Sequence, residues 1–528
     1  MKLTKKTIVL GVTSLVIIFS IVFTIYNLNI ICVTKESTDS KKTKKVKYTL
    51  NNLSEDIITH INSHRITSDL SKEEMEEKLK KYLYNKYTSL EEGLDKIPKN
   101  NQIKGGPSDS LLAQENMLKY EEMIEDIDYL FINLKYGYPA YEYFGGDEKF
   151  NKVRSKILEE VNKSKDKNGR IETIQFNLIV IKNLKFIKDG HFVVNYMPLT
   201  NTTYAFMNMK NPIVRDSNTY YIEDENKTYS IESIEGKDPS HYIRPSLDDN
   251  GKIIYKIVYL KDVTSSSLDI NIVLKDEKRE IQKKMELKRV IPPSKKIKLK
   301  NYTFKKVQGI PVFKVGSFHK ELKSFTEDGL KYSDENIAIL DLRGNQGGAI
   351  FDGCKWISNF TNNKVDYFKL IDCALLTKVC KKRVSDNFIT NNLKRVDLKE
   401  FYKNIHASNL TGWSRIRIPE LGYLKNDKII IVLFDKNTAS ASENMISTLS
   451  KMDNTIFIGM NSAGALNIPG LGINILPNSK LRVQYGSLML MEPDFIWRDG
   501  IGYFPDFWVE SDDALDKTIK FIDNYIKK

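Results

Sequence analysis

Two turns that follow apolar runs carry the residues best suited to chemistry. Residues 429–434 (Ile-Ile-Ile-Val-Leu-Phe) predict a buried strand, and the turn after it brings Ser440 to the start of a predicted helix. A hydroxyl there lies near the positive end of the helix dipole and beside unpaired main-chain N–H groups. Residues 336–340 predict a second strand, followed by Gly347 and Gly348, which can turn sharply and present N–H groups. Together the turns could place a nucleophile beside donors for an acyl-transfer oxyanion.

A serine hydroxyl needs a general base, because it is a weak nucleophile at its own pKa. His191 is the best candidate among the six histidines, since it follows Gly190 and begins a β-like run. Ser442 is the alternative nucleophile, but on a helix it points about 200° away from Ser440, so at most one of them can meet the base. We expect ordinary surface or core roles for the other histidines, which are His60, His64, His241, His319 and His406.

Four segments, in this order, resemble the C-terminal-processing (tail-specific) and tricorn-core family of serine peptidases. They are residues 341–348 (Asp-Leu-Arg-Gly-Asn-Gln-Gly-Gly), 438–443 (Thr-Ala-Ser-Ala-Ser-Glu), 476–479 (Leu-Pro-Asn-Ser) and 502–506 (Gly-Tyr-Phe-Pro-Asp). The resemblance covers residues 312–510 and, more loosely, 117–195. It implies a ClpP/crotonase-like peptidase core that hydrolyses peptide bonds of a peptide or protein substrate, without a metal or organic cofactor. It also implies Ser440 as nucleophile and an oxyanion hole formed by Gly347, Gly348 and Ala441.

The family divides according to its general base. The processing branch uses a lysine in a Gly-Lys-Gly setting after the nucleophile, whereas here Gly464 is followed by Ala465. A Ser/Lys mechanism therefore has no base in this chain. The tricorn-like branch uses a histidine, and His191 lies at the matching place, although the helper serine before it is replaced by Gly190.

The tricorn-like branch also uses a late carboxylate to orient its histidine. Asp499 lies where the branch keeps a glutamate, and an aspartate can accept the imidazole N–H as well. Glu492 and Asp506 are the competing carboxylates, although Asp506 follows a proline and is better suited to closing a turn. The resemblance therefore predicts Ser440, His191 and Asp499 as the catalytic residues.

The N-terminus predicts a membrane anchor. Residues 7–34 carry no charge, follow three lysines and are long enough for a tilted membrane-spanning helix, and no signal-peptidase site follows closely. We expect an uncleaved signal-anchor over residues 1–34, a basic linker over 35–50, and a catalytic region on the extracytoplasmic side of the cell membrane. Of the net charge of +13, residues 1–50 contribute nine Lys minus two acids, which is +7. The remaining charge forms no basic motif, so we expect no nucleic-acid partner.

The rest of the chain predicts a mixed fold of the α/β (α+β multidomain) class. Helical spacing of apolar residues, with a capping box at Ser71 and Glu74, predicts a helical region over residues 51–190. Short β-branched runs predict a β-rich module over 191–311, and alternating strands and helices predict the α/β peptidase core over 312–528. The four irregularly spaced cysteines exclude a disulfide-dense scaffold.

Two functions fit these observations. The first is a membrane-anchored serine endopeptidase. The alternative is a catalytically inactive family member that binds peptides or acts as a scaffold at the cell surface, because both the lysine of one branch and the helper serine of the other are missing.

Overall fold

The described part of the chain excludes most of its N-terminal region. The computed structural model describes residues 46–66, 68–97, 117–200, 202–291, 300–320, 322–365, 370–383, 411–413, 416–419, 424–470 and 472–528. The predicted membrane-spanning helix and residues 35–45 of the predicted linker lie outside these ranges. Within them, no helix has the length and apolar character needed to cross a bilayer. Tyr48–Lys528 form one compact unit.

Helices dominate the described chain before residue 190. The predicted capping box is present, because Ser71 Oγ accepts the Glu74 N–H and the Glu74 carboxylate accepts the Ser71 N–H. Apolar side chains at helical spacing, such as Met123, Ile127 and Leu134, are buried in one core cluster. The helices are Glu55–Ser63, Lys72–Lys80, Leu94–Lys96 (a single 3₁₀ turn), Tyr120–Gly137, Gly146–Ser164 and Thr173–Leu184, and the short antiparallel strands Met117–Lys119 and Arg170–Glu172 pair between them.

The predicted β-rich module contains an eight-stranded antiparallel sheet. Tyr204–Met207 pairs with strands at both ends of a run of six others, so that these seven strands together form a closed ring around an apolar core. The spatial order is Tyr204–Met207, Glu280–Arg289, Ser267–Lys275, Lys227–Ile234, Thr219–Asp224, Ile213–Asp216, Ile253–Lys261 and Ile243–Leu247. A 3₁₀ turn, Pro239–His241, precedes the last of these strands.

Two short strands of the predicted module belong to a different sheet. Val193–Val194 and Met197–Pro198 join Arg482–Tyr485 and Gly472–Ile475 in a four-stranded sheet, which ties the chain after His191 to the C-terminal region. A further antiparallel pair joins Ile371–Ala374 to Leu488–Met491.

A six-stranded sheet organises the C-terminal region. Its strands, in spatial order, are Tyr302–Val307, Ile310–Val315, Ile337–Asp341, Ile429–Phe434, Thr455–Gly459 and Phe507–Trp508. The first pair is antiparallel and the others are parallel. The helices of this region are Lys323–Lys331, Phe351–Thr361, Lys378–Arg383, Ala441–Leu449 and Ala514–Phe521, which continues into the π-helical Ile522–Ile526.

The central strands read as continuous apolar runs because both faces of the sheet are covered. Every residue of Ile337–Asp341 and of Ile429–Phe434 is buried. The sheet begins before the predicted boundary at residue 312, since a tight turn at Gln308 and Gly309, both with positive φ, folds Tyr302–Val307 back onto it. The predicted mixed α/β class with a β-rich module is confirmed.

Candidate active site

Ser440 lies in a strained turn between the buried strand Ile429–Phe434 and the helix Ala441–Leu449. Its φ of 56° and ψ of −118° are uncommon for a residue with a side chain. Such strain persists only where the surroundings fix the backbone. The preceding Ala439 N–H donates to the Asn345 carbonyl at 3.0 Å, which fixes this turn against the glycine-containing turn of the neighbouring strand.

The two predicted turns meet in space. Ile337–Asp341 and Ile429–Phe434 are adjacent parallel strands, so their carboxyl ends share one edge of the sheet. Gly347 has a φ of 98°, and a Cβ atom there would lie 2.8 Å from Ser440 Cβ and 2.9 Å from the Ala441 nitrogen. Gly347 therefore lies directly against the serine turn, and only glycine fits there.

The donors of the predicted oxyanion hole differ in availability. The Gly347 N–H donates to Asn345 Oδ1 at 2.9 Å, so its assignment as an oxyanion donor does not fit this hydrogen bond. The main-chain N–H groups of Gly348 and Ala441 have no protein acceptor in the described residues. Gly348 and Ala441 are therefore the better candidates to stabilise an oxyanion.

Glu443 is a buried carboxylate that we did not predict as a site residue. Its oxygens accept hydrogen bonds from the Ser440 N–H at 3.1 Å, Ser462 Oγ at 2.6 Å, the Gly464 N–H at 2.7 Å and the Ala465 N–H at 2.8 Å. Burial raises its pKa, and these donors oppose that shift. The spacing Ser-x-x-Glu, typical of a capping box, was the sequence signal for its contact with the serine turn.

Asp499 is a second buried carboxylate with main-chain partners. Its Oδ1 accepts the Leu466 N–H at 2.6 Å and the Asn467 N–H at 2.8 Å, and its Oδ2 accepts the Gly190 N–H at 2.9 Å. Asp499 thus attaches the residue before His191 to the same stretch of chain that Glu443 holds.

Residues 464–467, here called the bridging loop, therefore connect the two halves of the site. Their four consecutive N–H groups are accepted by Glu443 at the first two positions and by Asp499 at the last two. A Cβ atom on Gly190 would lie 2.5 Å from the Gly464 oxygen and 2.7 Å from Ala465 Cβ. The bridging loop therefore leaves no room for a side chain at residue 190.

His191 lies in a cluster with two aspartates. Asp189, His191 and Asp499 each offer a side-chain nitrogen or oxygen, and these atoms lie within 4.8 Å of one another. Asp189, which we did not predict, accepts hydrogen bonds from the main-chain N–H of His191 at 2.8 Å and from the Tyr138 hydroxyl at 2.9 Å. The expected hydrogen bond from the imidazole to Asp499 is not formed. Asp499 is bound to main-chain N–H groups instead, and the buried His191 Nδ1 has no partner among the described residues.

Burial controls the charge of this cluster. It lowers the pKa of His191 to about 4, which leaves the imidazole neutral at pH 7 and able to accept a proton. Burial raises the pKa of Asp189 to about 7, and burial together with the charge of Asp189 raises the pKa of Asp499. The three groups could also ligate a cation, but the N–H and O–H donors on both aspartates satisfy these carboxylates without one.

The competing residues are engaged elsewhere or inaccessible. Ser442 is fully buried. Glu492 pairs with Lys451 Nζ at 2.6 Å, and Asp506 contacts His64 Nδ1 at 3.3 Å. Among the described carboxylates that we considered from the sequence, only Asp499 belongs to the cluster around His191.

Comparison with known proteins gives a family match and distant structural similarities. No curated protein matches the chain. The structure is similar to mature CPAF (10% identity, 77% of this chain and 96% of that chain, TM-score 0.38). It is also similar to the photosystem II D1 C-terminal processing protease (13% identity, 74% and 93%, TM-score 0.32) and to the tricorn protease (12% identity, 75% and 35%, TM-score 0.29). Because these similarities are low, they carry no argument about the site.

The family match covers most of the candidate site. Residues 307–507 match the sequence model of Peptidase family S41. This range contains Ser440, Ala441, Gly348 and Asp499, and it leaves out His191. This match confirms the predicted family at the level of a domain: residues 307–507 form a domain of peptidase family S41, a family of serine-type peptidases.

Proposed function

We propose that this chain is a membrane-anchored serine endopeptidase in which Ser440 is the nucleophile and His191 the general base. The observation that carries the proposal is the bridging loop. It is bound to the serine turn through Glu443 and to the residue before His191 through Asp499. Two distant stretches of the sequence thus contact one short loop, at the edge of the sheet where the serine turn and the glycine turn meet.

The proposed reaction follows from the chemistry of these groups. Neutral His191 accepts the Ser440 proton as Oγ attacks the carbonyl carbon of a peptide bond. The N–H groups of Gly348 and Ala441 donate to the resulting oxyanion, and the protonated imidazole then gives its proton to the leaving amine. In the second half-reaction, His191 accepts a proton from water and the resulting hydroxide adds to the acyl carbonyl carbon. The imidazolium then returns this proton to Ser440 Oγ as the bond to the serine breaks and the acid is released. Asp499 supports the reaction by holding the main chain at Gly190, while Asp189 and Asp499 lie beside the imidazolium that forms.

The proposed location is the cell membrane, with the catalytic region outside the cytoplasm. The support is the uncharged stretch of residues 7–34, which follows Lys2, Lys5 and Lys6 and is long enough to span a bilayer. We expect the full chain to remain in the membrane fraction after an alkaline wash. We also expect added protease to degrade the catalytic region in cells whose outer layers are opened while the cytoplasmic membrane stays intact. Release by the wash would contradict the anchor, and protection from the protease would contradict the orientation.

A catalytically inactive, peptide-binding protein is the second candidate. Two observations favour it: His191 Nδ1 has no hydrogen-bond partner in the described residues to fix its tautomer, and the position of the processing-branch lysine is Ala465. Both candidates share the family and the fold, so only reactivity distinguishes them.

Labelling with a fluorophosphonate probe tests the proposal. We expect the probe to modify the wild-type protein and the Ser442→Ala control, because Ser442 is buried away from the reaction. Ser440→Ala should abolish the labelling, with peptide mapping placing the adduct on Ser440. Folded wild-type protein that takes no label would support the inactive candidate, and a label retained by Ser440→Ala would exclude Ser440 as the nucleophile.

A further inference from the structure

A polar cavity of about 350 Å³ lies apart from the candidate catalytic residues. It is lined by the helix Glu55–Ser63 and the following His64, by strands of the eight-stranded sheet and the 3₁₀ turn before its last strand, and by Phe504. No candidate catalytic residue lines it. Its polar lining side chains are Asp56, His60, Ser63, His64, Arg215, Tyr220, Ser240, Arg244 and Tyr255.

The charge of this cavity is unbalanced. Arg244 donates from Nη1 to the carbonyls of Ser240 (2.6 Å) and Ile243 (2.8 Å), and from Nη2 to the carbonyl of His241 (2.8 Å). These carbonyls fix the guanidinium in place and leave its charge uncompensated. In the described chain no carboxylate forms an ion pair with it. A partly buried guanidinium of this kind is a strong site for an oxyanion.

The second arginine supplies a further donor. Arg215 Nη1 pairs with Asp56, the only carboxylate in the lining, at 3.3 Å. The buried Arg215 Nε has no hydrogen-bond partner among the residues that the structure describes. The lining thus holds two guanidinium charges against one carboxylate.

The two histidines indicate which oxyanion fits. His60 Nε2 lies 3.0 Å from the Asp506 carbonyl and His64 Nδ1 lies 3.3 Å from Asp506 Oδ1, and both oxygens can only accept. Each of these nitrogens therefore carries the proton, so the other ring nitrogen of a neutral imidazole is an acceptor. A ligand with both acceptor oxygens and an O–H donor matches this lining, whereas an anion with acceptors alone does not.

We propose that this cavity binds hydrogen phosphate, the dianion of inorganic phosphate, which has three acceptor oxygens and one O–H donor. Arg244 and Arg215 bind its oxygens, and the tyrosine hydroxyls and the imidazoles complete its hydrogen bonds. The volume suits a small molecule rather than a macromolecular surface. This proposal rests on the cavity alone and does not depend on peptidase activity.

Isothermal titration calorimetry of the folded protein tests the proposal, with inorganic phosphate, glycerol phosphate and sulfate at constant ionic strength. We expect phosphate to bind with a Kd at or below about 1 mM. Sulfate, which has no proton to donate at neutral pH, should bind at least about tenfold more weakly. Glycerol phosphate, whose phosphate dianion has no P–O–H proton, should bind more weakly than inorganic phosphate, and tighter binding of glycerol phosphate would overturn the assignment. Absence of phosphate binding, or sulfate binding as tight as phosphate, would overturn the assignment.

Variants locate the binding. Arg244→Gln and Arg215→Gln should each weaken phosphate binding at least about tenfold, because each removes a charged donor. Arg289→Gln is the matched control, since that arginine donates to the Thr264 carbonyl on the same module and does not line the cavity. If Arg244→Gln does not fold, Arg215→Gln alone tests the proposal. The Arg215 side chain is partly exposed, so we expect its replacement to leave the fold intact. Equal phosphate binding by the wild type and by every folded cavity variant would overturn the proposal.

Discussion

On both the serine side and the histidine side of the bridging loop, a buried carboxylate accepts main-chain N–H groups of the loop, but the two carboxylates differ in their surroundings. On the serine side, Glu443 stands alone and receives four hydrogen-bond donors. On the histidine side, Asp499 receives three main-chain donors and lies beside a second aspartate, Asp189, so the two carboxyls disfavour each other's ionisation. The serine side therefore fixes the geometry of the main chain, whereas the histidine side also sets the charge around the base.

Removing the base should have the largest effect. We expect His191→Ala to slow fluorophosphonate labelling by about 10³-fold or more, because Ser440 then has no group to accept its proton. The control is His319→Ala, since His319 is exposed in the same protein. The second-order labelling rate constant is the measurement. A loss smaller than about tenfold would mean that another group acts as the base.

Removing the charge of Glu443 should disturb the positions of the serine turn and the bridging loop, without removing a group that reacts. Glu443→Gln replaces an acceptor of four donors with an amide, so we expect a loss of about 1–3 kcal/mol in the free energy of unfolding. We also expect labelling to slow by about 10-fold to 100-fold, because the serine turn and the bridging loop lose their common partner.

A matched buried glutamate sharpens this prediction. The carboxylate of Glu492 contacts Lys451 and Tyr503, so Glu492→Gln should destabilise the protein while changing the labelling rate of the folded fraction far less. Chemical denaturation and labelling rates measured on both variants give the comparison. Equal labelling losses would show that Glu443 acts only through general stability.

A side chain at residue 190 should disturb the histidine side selectively. Gly190→Ser would place Cβ 2.5 Å from the Gly464 oxygen, so the bridging loop must move. We expect a loss of about 1–3 kcal/mol in the free energy of unfolding and slower labelling. Gly353→Ala is the control, because the nearest atom to its added Cβ is the flexible Met445 sulfur at 3.1 Å. A stable, fully reactive Gly190→Ser would contradict the close packing of the bridging loop on Gly190.

The smallest expected effect is on the pH dependence of the labelling rate, whose fall on the acidic side should be shifted to lower pH. His191 must be neutral to accept a proton, and burial lowers its pKa from 6.5 to about 4. The labelling rate should therefore stay near its maximum on acidification past pH 6.5 and fall only as pH approaches about 4, with circular dichroism confirming the fold at each pH. A midpoint at or above pH 6.5 would mean that ionised Asp189 and Asp499 hold the proton on the imidazole.

The fold was predictable where apolar runs were continuous. The strands Ile337–Asp341, Ile429–Phe434 and Thr455–Gly459 lie within one residue of their predicted positions, because parallel strands buried on both faces have nearly continuous apolar sequences. Val193–Val194 was assigned to the β-rich module, yet it pairs with Arg482–Tyr485. Pairing between strands so distant in sequence leaves no local signal.

The sequence was sufficient to predict which residues of the site lie close together, but not the hydrogen bonds that they form. The juxtaposition of Ser440 with Gly347 followed from two adjacent parallel strands. That the Gly347 N–H is occupied by Asn345 depends on a local side-chain hydrogen bond that the glycine pattern does not contain. Asp189 was missed for a related reason: a carboxylate two residues before the histidine reads as a surface group until its burial is known.

A crystal structure of the fluorophosphonate adduct would show whether Ser440, His191 and the two main-chain donors converge on one reacting group. We expect phosphorus on Ser440 Oγ and a phosphoryl oxygen about 3 Å from the Gly348 and Ala441 nitrogens. We also expect the His191 imidazole within hydrogen-bond reach of the adduct, with the bridging loop still bound to Glu443 and Asp499. An adduct on another residue, or a His191 ring held away from Ser440 by an intact bridging loop, would contradict the proposed mechanism.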